Sequence, residues 1–248
     1  MRYDLTADVY NLSAWDHHLG NNRLQLVVAD PPYGFITNEQ WDKVEDVYLA
    51  RQLVEWCHDL EKLCFPGAAL YLYGGYGKPH NRAFYRFILG LEEKTNWRMA
   101  AHLTWHKKRA FGVQNNYLSC REEIAYCVLG DVKRPRVFNI PLLQEIRGYD
   151  GYNKKYPAKS KYKRRTMVWN DVPQPDEVQR SDVWEDVTEI LKGKTHPCEK
   201  PKELSEIIVS TSSNQHDWVL DAFAGSRNCA NVCEQLGRNV ISVEQDGS

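Results

Sequence analysis

The chain has no apolar run long enough to span a bilayer, and Met1-Arg2-Tyr3-Asp4 does not begin a signal peptide. Its seven cysteines form no C-x-x-C pair; only Cys229 and Cys233 sit close, at a helical spacing. An odd count without a leader argues for reduced thiols in a cytosolic setting, and against a disulfide frame or a zinc site. A dominant charge is also missing. Thirty-two Lys and Arg against 33 Asp and Glu leave a net charge of −1, so a nucleic-acid partner would need a local basic patch. Aromatics are not scarce: with eight Trp and 14 Tyr, many rings must be core, and no single one argues for base stacking. At 248 residues, the length suits one α/β domain with a modest insertion.

What the chain does have is Leu24-Gln25-Leu26-Val27-Val28-Ala29 followed by Asp30-Pro31-Pro32-Tyr33-Gly34. The first six residues, apolar except Gln25, read as a buried parallel strand. Beyond the carboxyl ends of such strands lies the ligand crevice of open α/β sheets. Proline restricts the residue before it, so Asp30 and Pro31 are both held extended. Neither proline has an N–H, so the loop offers carbonyls and a carboxylate with few competing donors. Tyr33 adds a flat face. Acceptors beside a stacking ring suit a planar ring that carries an exocyclic amino group.

Residues 2–10 read as a short strand leading into a loop, where Asp8 either faces a ligand or caps a turn. Apolar residues from Glu45 to Phe65 recur at near-helical period, and Pro66-Gly67 closes that helix. Ala68 to Tyr73 reads as a strand closed by Gly74-Gly75, residues 79–91 as a second helix, and Arg98 to Trp105 and Glu122 to Leu129 as further strands. Strand, helix, strand makes a parallel sheet the economical arrangement. Over residues 131–194 the apolar period fades. Lys154, Lys155, Lys159, Lys161, Lys163, Arg164 and Arg165 fall within a stretch free of acids, interleaved with Tyr152, Tyr156 and Tyr162. That run is either a solvated loop or a grip on nucleic acid. Regular pattern then returns: a helix over Lys200 to Ser213, a strand at Trp218 to Asp221, a small-residue turn, a helix over Asn228 to Leu236, and a strand from Asn239 to Glu244. A βαβ unit with a tight Gly turn and a terminal acid is the layout of a nucleoside-cofactor site.

Three segments, in this order, resemble the circularly permuted β class of amino-group DNA methyltransferases, which methylate adenine N6 or cytosine N4. They are Asp30-Pro31-Pro32-Tyr33, Thr195-His196-Pro197-Cys198-Glu199-Lys200-Pro201, and Asp221-Ala222-Phe223-Ala224-Gly225-Ser226. Trp105-His106-Lys107-Lys108, Arg121-Glu122-Glu123 and Ser181-Asp182-Val183-Trp184 fall where that family has similar stretches.

The resemblance implies an α/β fold: a doubly wound, mostly parallel, Rossmann-like sheet with a small irregular recognition insertion. Residues 1–130 would form a catalytic half, 131–194 the target-recognition insertion and 195–248 a cofactor-binding half. The implied cofactor is S-adenosylmethionine. Asp221, Phe223, Gly225 and Ser226 would lie against its methionine part and Glu244 against the ribose hydroxyls. Thr195, His196 and Lys200 would line its amino-acid end, with Asp8 near the adenine. The implied partner is double-stranded DNA, gripped by Lys107, Lys108 and the basic run, in the cytoplasm of a bacterial or phage-infected cell. The protein would act as monomer or homodimer, with no metal and no membrane.

An exocyclic amine is a poor nucleophile because its lone pair is delocalised into the ring. Asp30 and the Pro31 carbonyl, each accepting one N–H, would expose that lone pair, and Tyr33 would stack on a base flipped from the duplex. The sequence departs from the family at the cofactor turn, where Gly225-Ser226-Arg227-Asn228 stands in place of Gly-Ser-Gly-Thr. Arg227 there would point to solvent, reach the cofactor carboxylate, or spoil binding. Asp at the first motif position resembles the adenine-N6 subgroup, so adenine-N6 methylation is the expected activity. A catalytically silent DNA-binding homologue, which the last option for Arg227 leaves open, and an N4-cytosine or RNA-directed methyltransferase are the rival readings.

Overall fold

The computed structural model describes residues 1–32, 45–75, 82–111, 118–144, 177–190 and 199–245, with backbone alone at 108–111, 142–144 and 177–179. Two compact units result. The larger comprises Met1–Asn139 with Asp182–Ser248, the smaller Ile140–Ser181. In the smaller unit the described strands are β6 (Leu142–Gln144) and β7 (Glu177–Gln179), an antiparallel pair.

The larger unit is built on one eight-stranded sheet. Its strands are β1 (Arg2–Thr6), β2 (Leu24–Ala29), β3 (Cys64–Gly74), β4 (Trp97–Phe111), β5 (Ser119–Leu129), β8 (Val183–Trp184), β9 (Trp218–Ala222) and β10 (Asn239–Glu244), in the order β1-β10-β9-β2-β3-β5-β4-β8. The five strands from β1 to β3 in that order run parallel. β5 is antiparallel to β3 and to β4, and β8 is parallel to β4. Helices cover both faces. α1 (Asp46–Leu60) and α2 (Ala83–Lys94) pack on one side through Leu53, Cys57, Leu60, Phe87 and Leu91. α3 (Lys202–Ser212) and α4 (Asn228–Gln235) pack on the other through Leu204, Ile208, Ala230 and Cys233. The sheet is therefore doubly wound and mostly parallel, as the strand and helix pattern predicts.

β2 is the central strand of the crevice, and all six of its residues are buried. Its one polar residue is satisfied. Gln25 Nε2 donates to the Ser212 carbonyl at 3.1 Å, and its Oε1 accepts from the Arg136 guanidinium at 2.5 Å. A buried amide with both ends paired incurs little desolvation penalty.

Several boundaries differ from expectation. The helix ending expected at Pro66-Gly67 comes earlier: α1 stops at Leu60, a 3-10 turn spans Glu61–Leu63, and Pro66 and Gly67 lie inside β3. The β2–β3 register shifts between the pairs Leu24–Cys64 and Leu26–Ala69, and the Pro-Gly pair sits in that irregularity, where a missing N–H is tolerated. Gly67 has φ 79°, and a Cβ there would lie 2.7 Å from the Arg136 backbone nitrogen. The second helix runs to Lys94, three residues past expectation, and β4 continues from Trp105 to Phe111 because it pairs with β5 that far.

At the carboxyl end of β3, Gly74 admits the Phe84 ring of α2. A Cβ on Gly74 would fall 2.0 Å from that ring. Pro31, Pro32, Leu72, Tyr73, Gly74 and Phe84 line an apolar cleft at this end of the sheet. Gly74→Ala is expected to destabilise the fold by about 1–3 kcal/mol through overpacking, read from the urea midpoint. An unshifted midpoint would mean that Phe84 swings aside freely.

Candidate active site

The parallel register brings the ends of the motif strands level. Ala29 pairs with both Leu72 and Ala222, Ala222 with Val243, and Glu244 with Thr6. Asp30, Phe223, Glu244 and the loop after β1 thus share one edge of the sheet, although far apart in sequence.

Asp30 leaves β2 with its N–H toward the Ala222 carbonyl at 3.4 Å. Its Oδ2 accepts from Lys200 Nζ at 2.5 Å. The ammonium also lies 3.6 Å from Glu122 Oε2 and 5.2 Å from the centre of the buried Tyr73 ring. Glu122, on β5, is ion-paired in turn to Lys107 of β4, whose ammonium sits 5.1 Å over the Trp105 ring. Burial pushes the Glu122 carboxyl up, but the ammonium groups of Lys200 and Lys107 overcome this and hold it below the usual carboxylate range. Lys107, expected to touch DNA, is thus turned to Glu122. Lys200, expected at the amino-acid end of a cofactor, is held on Asp30.

In the cofactor-type turn every second residue is left-handed, with Phe223 at φ 59°, Gly225 at 46° and Arg227 at 60°. Glycine adopts this region without penalty, whereas the other two are held there by their surroundings. Phe223 packs edge-on against Tyr10 and Trp56, at centroid distances of 5.5 and 5.8 Å. The indoles of Trp15 and Trp56 both donate to the Val9 carbonyl, at 3.2 and 3.1 Å, which fixes the Asp8 loop beside Phe223. Asp8 Oδ1 accepts the Tyr10 N–H at 3.0 Å, so the residue caps its own turn. Glu244 Oε2 accepts the Gly225 N–H at 2.7 Å.

Asp221 is buried beneath the turn, where its Oδ2 accepts the Ala230 N–H at 3.1 Å and the Ser242 hydroxyl at 3.3 Å. Burial raises its carboxyl to about 7, against those two hydrogen bonds. Asp221 therefore holds α4 and β10 to the turn. Ser226 is half-buried in the same turn.

The residues that depart from the family pattern have defined partners. The Arg227 guanidinium turns back to Asp4 of β1, at 3.4 Å. Asn228 Nδ2 donates to Glu199 Oε1 at 2.9 Å and to the Lys200 carbonyl at 3.0 Å, tying the start of α4 to the segment that carries Lys200. Tyr33, Thr195, His196, Lys154, Lys155, Lys159, Lys161, Lys163, Arg164, Arg165 and the side chain of Lys108 lie outside the described residues.

Sequence reasoning gave Glu122, Tyr73, Gly74 and Asn228 no role in the site. For Glu122 a signal existed: two consecutive acids in a strand face opposite sides of the sheet, and in a sheet covered on both faces each is buried and needs a cation. Glu123 takes the other face, where His102, Thr104 and Arg121 contact it.

A family model described as DNA methylase matches residues 24–248, nearly the whole chain. The chain belongs to the DNA methylase family. This is the S-adenosylmethionine-dependent group whose members act on amino nitrogens of N6 or N4 type. Among similar proteins, Type II methyltransferase M.HpaI of Haemophilus parainfluenzae is 26% identical over 92% of this chain and 66% of its own length. Type II methyltransferase M1.MboII of Moraxella bovis is 27% identical, over 91% and 86%. Type II methyltransferase M.BamHI of Bacillus amyloliquefaciens is matched over half of its own length. Among solved structures, M1.HpyAVI superposes with a TM-score of 0.64 at 19% identity, over all of this chain and 93% of the other. PvuII DNA methyltransferase, titled cytosine-N4-specific, gives 0.67 at 13%, over 99% and 84%. These structures share the methylase fold. Among the described residues, no helix is long and apolar enough to cross a membrane.

The methylase edge fits S-adenosylmethionine by its donor set. Glu244 offers a strand-end carboxylate suited to a ribose diol, and Gly225, at φ 46°, adds no side chain to the turn.

Two measurements test this geometry. A carboxyl raised from its ordinary value to about 7 makes the folded state bind more protons than the unfolded one above about pH 4. Stability contributed by Asp221 is therefore lost as pH rises toward 7. Asp221→Asn should flatten that fall and stabilise the protein at pH 8 by about 2–4 kcal/mol in denaturant unfolding; equal pH dependence in both proteins would refute the assignment. For Arg227, replacement by Gly should leave S-adenosylmethionine affinity within about twofold in calorimetry, whereas Arg227→Val should destabilise the fold by about 1–2 kcal/mol. A tenfold loss of affinity in the glycine variant would place Arg227 against the cofactor.

Proposed function

We propose that this methylase transfers a methyl group to the N6 amino group of adenine, flipped from a specific site in double-stranded DNA. The observation that carries the reading is the Asp30 carboxylate at the end of a buried parallel strand, held there by Lys200 and followed by two prolines. Asp30 and the Pro31 carbonyl accept the two amino hydrogens, which favours a pyramidal nitrogen with its lone pair exposed. Pro31 and Pro32 have no N–H, so the backbone of the two prolines adds no donor to compete with the amine for those acceptors. Tyr33 stacks on the flipped base.

S-adenosylmethionine, when bound, supplies an electrophilic methyl group. The chain orients it: Glu244 takes the ribose hydroxyls, Phe223, Gly225 and Ser226 flank the methionine part, and Thr195 and His196 line its amino-acid end, with Asp8 near the adenine. The edge shared by Asp30 and Glu244 supports this by putting acceptor and donor sites side by side, as direct transfer requires. The basic run Lys154 to Arg165 in the 131–194 insertion, with Lys108, contacts the DNA backbone; its charge stands out against a net charge of −1. Aspartate at the first motif position favours adenine over cytosine in this reading.

Mass spectrometry of nucleosides from DNA treated with the protein and S-adenosylmethionine tests the choice of base. N6-methyladenine is the expected product. N4-methylcytosine would move the assignment to the other amino group, and neither product would favour the silent homologue. Asp30→Ala should lower turnover by at least about 10²–10³-fold while cofactor binding in calorimetry stays within a few-fold. Undiminished turnover would remove Asp30 from the mechanism.

A further inference from the structure

Four charged groups from four parts of the chain alternate in sign beside the proline loop: Lys107 on β4, Glu122 on β5, Lys200 ahead of α3, and Asp30 after β2. Lys200 is close to one carboxylate and just out of reach of the other, at 2.5 Å from Asp30 Oδ2 and 3.6 Å from Glu122 Oε2. That Glu122 oxygen is buried and has no hydrogen-bond partner among the described residues. Buried carboxylate oxygens without a donor are rare, and each calls for a physical account. The other Glu122 oxygen is already bonded to Lys107, so the side chain is anchored with its orphan oxygen facing the Lys200 ammonium.

We infer that Glu122 is a positioning residue: it is the second seat of the Lys200 ammonium, which withdraws from Asp30 toward Glu122 when the target amine docks. The inference rests on the reading of Asp30 as an acceptor for that amine. In the structure Asp30 is engaged by a full positive charge, and a carboxylate so engaged is a weaker acceptor for a neutral N–H. An ammonium left in apolar surroundings without a carboxylate would be costly. Glu122 removes that cost, because the ammonium exchanges one carboxylate for another about an ångström away. No proton changes owner and no net charge is created. Lys107 keeps Glu122 ionised and fixed, so the seat is ready before the base arrives. The Tyr73 ring beneath the ammonium offers it a further electron-rich surface. Glu122 touches no reacting atom in this scheme; it acts through Lys200.

Three variants separate this role from a purely structural one. In a crystal structure of Asp30→Asn, Lys200 Nζ should close to within about 3 Å of Glu122 Oε2. An ammonium that stays away from Glu122 would overturn the inference whether or not the protein methylates DNA. Glu122→Gln should lower kcat by about 10²-fold, with KM for DNA and for S-adenosylmethionine within about twofold. Because that substitution leaves two cations on one carboxylate, its folding is read beside the double variant Glu122→Gln with Lys107→Met, which restores the balance of charge. The double variant should recover the melting temperature and keep the low kcat. A kcat that returns with the melting temperature would make Glu122 merely structural. An inactive wild-type protein would count against the methyltransferase reading, and the Asp30→Asn structure would still decide the ammonium exchange.

Discussion

The parallel pairing of β9, β2 and β3 is the constraint on which the site depends. A parallel ladder fixes which residues lie abreast, and in this register Ala222, Ala29 and Leu72 stand in one row. Three segments of chemical interest begin at or just beyond that row: the Asp30 loop, the Phe223 turn and the Gly74 cleft. A slip of one residue would turn each buried side chain to the opposite face and break the row. The apolar side chains of β2 prevent this, because both faces of the strand are packed under helices. The paired amide of Gln25 adds a directional lock that pure hydrophobic burial lacks.

Around that row, polar contacts add to the shared core in tying the cofactor-type turn to the Asp30 loop. Asn228 links the cofactor-type turn to Lys200, and Lys200 links onward to Asp30. The glycine that the family pattern would place at position 227 is replaced by an arginine in left-handed backbone, with its guanidinium on Asp4. The long cation that looked like an obstacle to cofactor binding is directed across β10 to the edge strand instead.

Much of this architecture was legible in the sequence. Strands with strong apolar runs, β2 and β10, have the bounds their residues suggest, and the ordered segments around Asp30, Lys200 and Asp221 identified the family. The less legible features depend on contacts between distant residues. Nothing local in Arg121-Glu122-Glu123 says that Lys107 and Lys200 converge on one of the two acids. Lys107 reads as a DNA contact, yet β4 runs past its expected end and the side chain is paired with Glu122. Pro66-Gly67 resembles a helix stop because its local signal is that of a turn, whereas the shift in register made it part of a strand. Asp221 was read as a ligand-facing acid; Ser242 and the start of α4, both remote in sequence, enclose it instead.

The left-handed turn at Phe223 to Arg227 has a consequence for the timing of ligand capture. Its unfavourable backbone conformations are imposed once, during folding, by the Asp4, Glu244 and aromatic contacts that surround it. A ligand meeting such a turn does not have to order these residues, and at this turn loses little affinity to conformational entropy. What the fold has already fixed here need not be fixed again at each encounter.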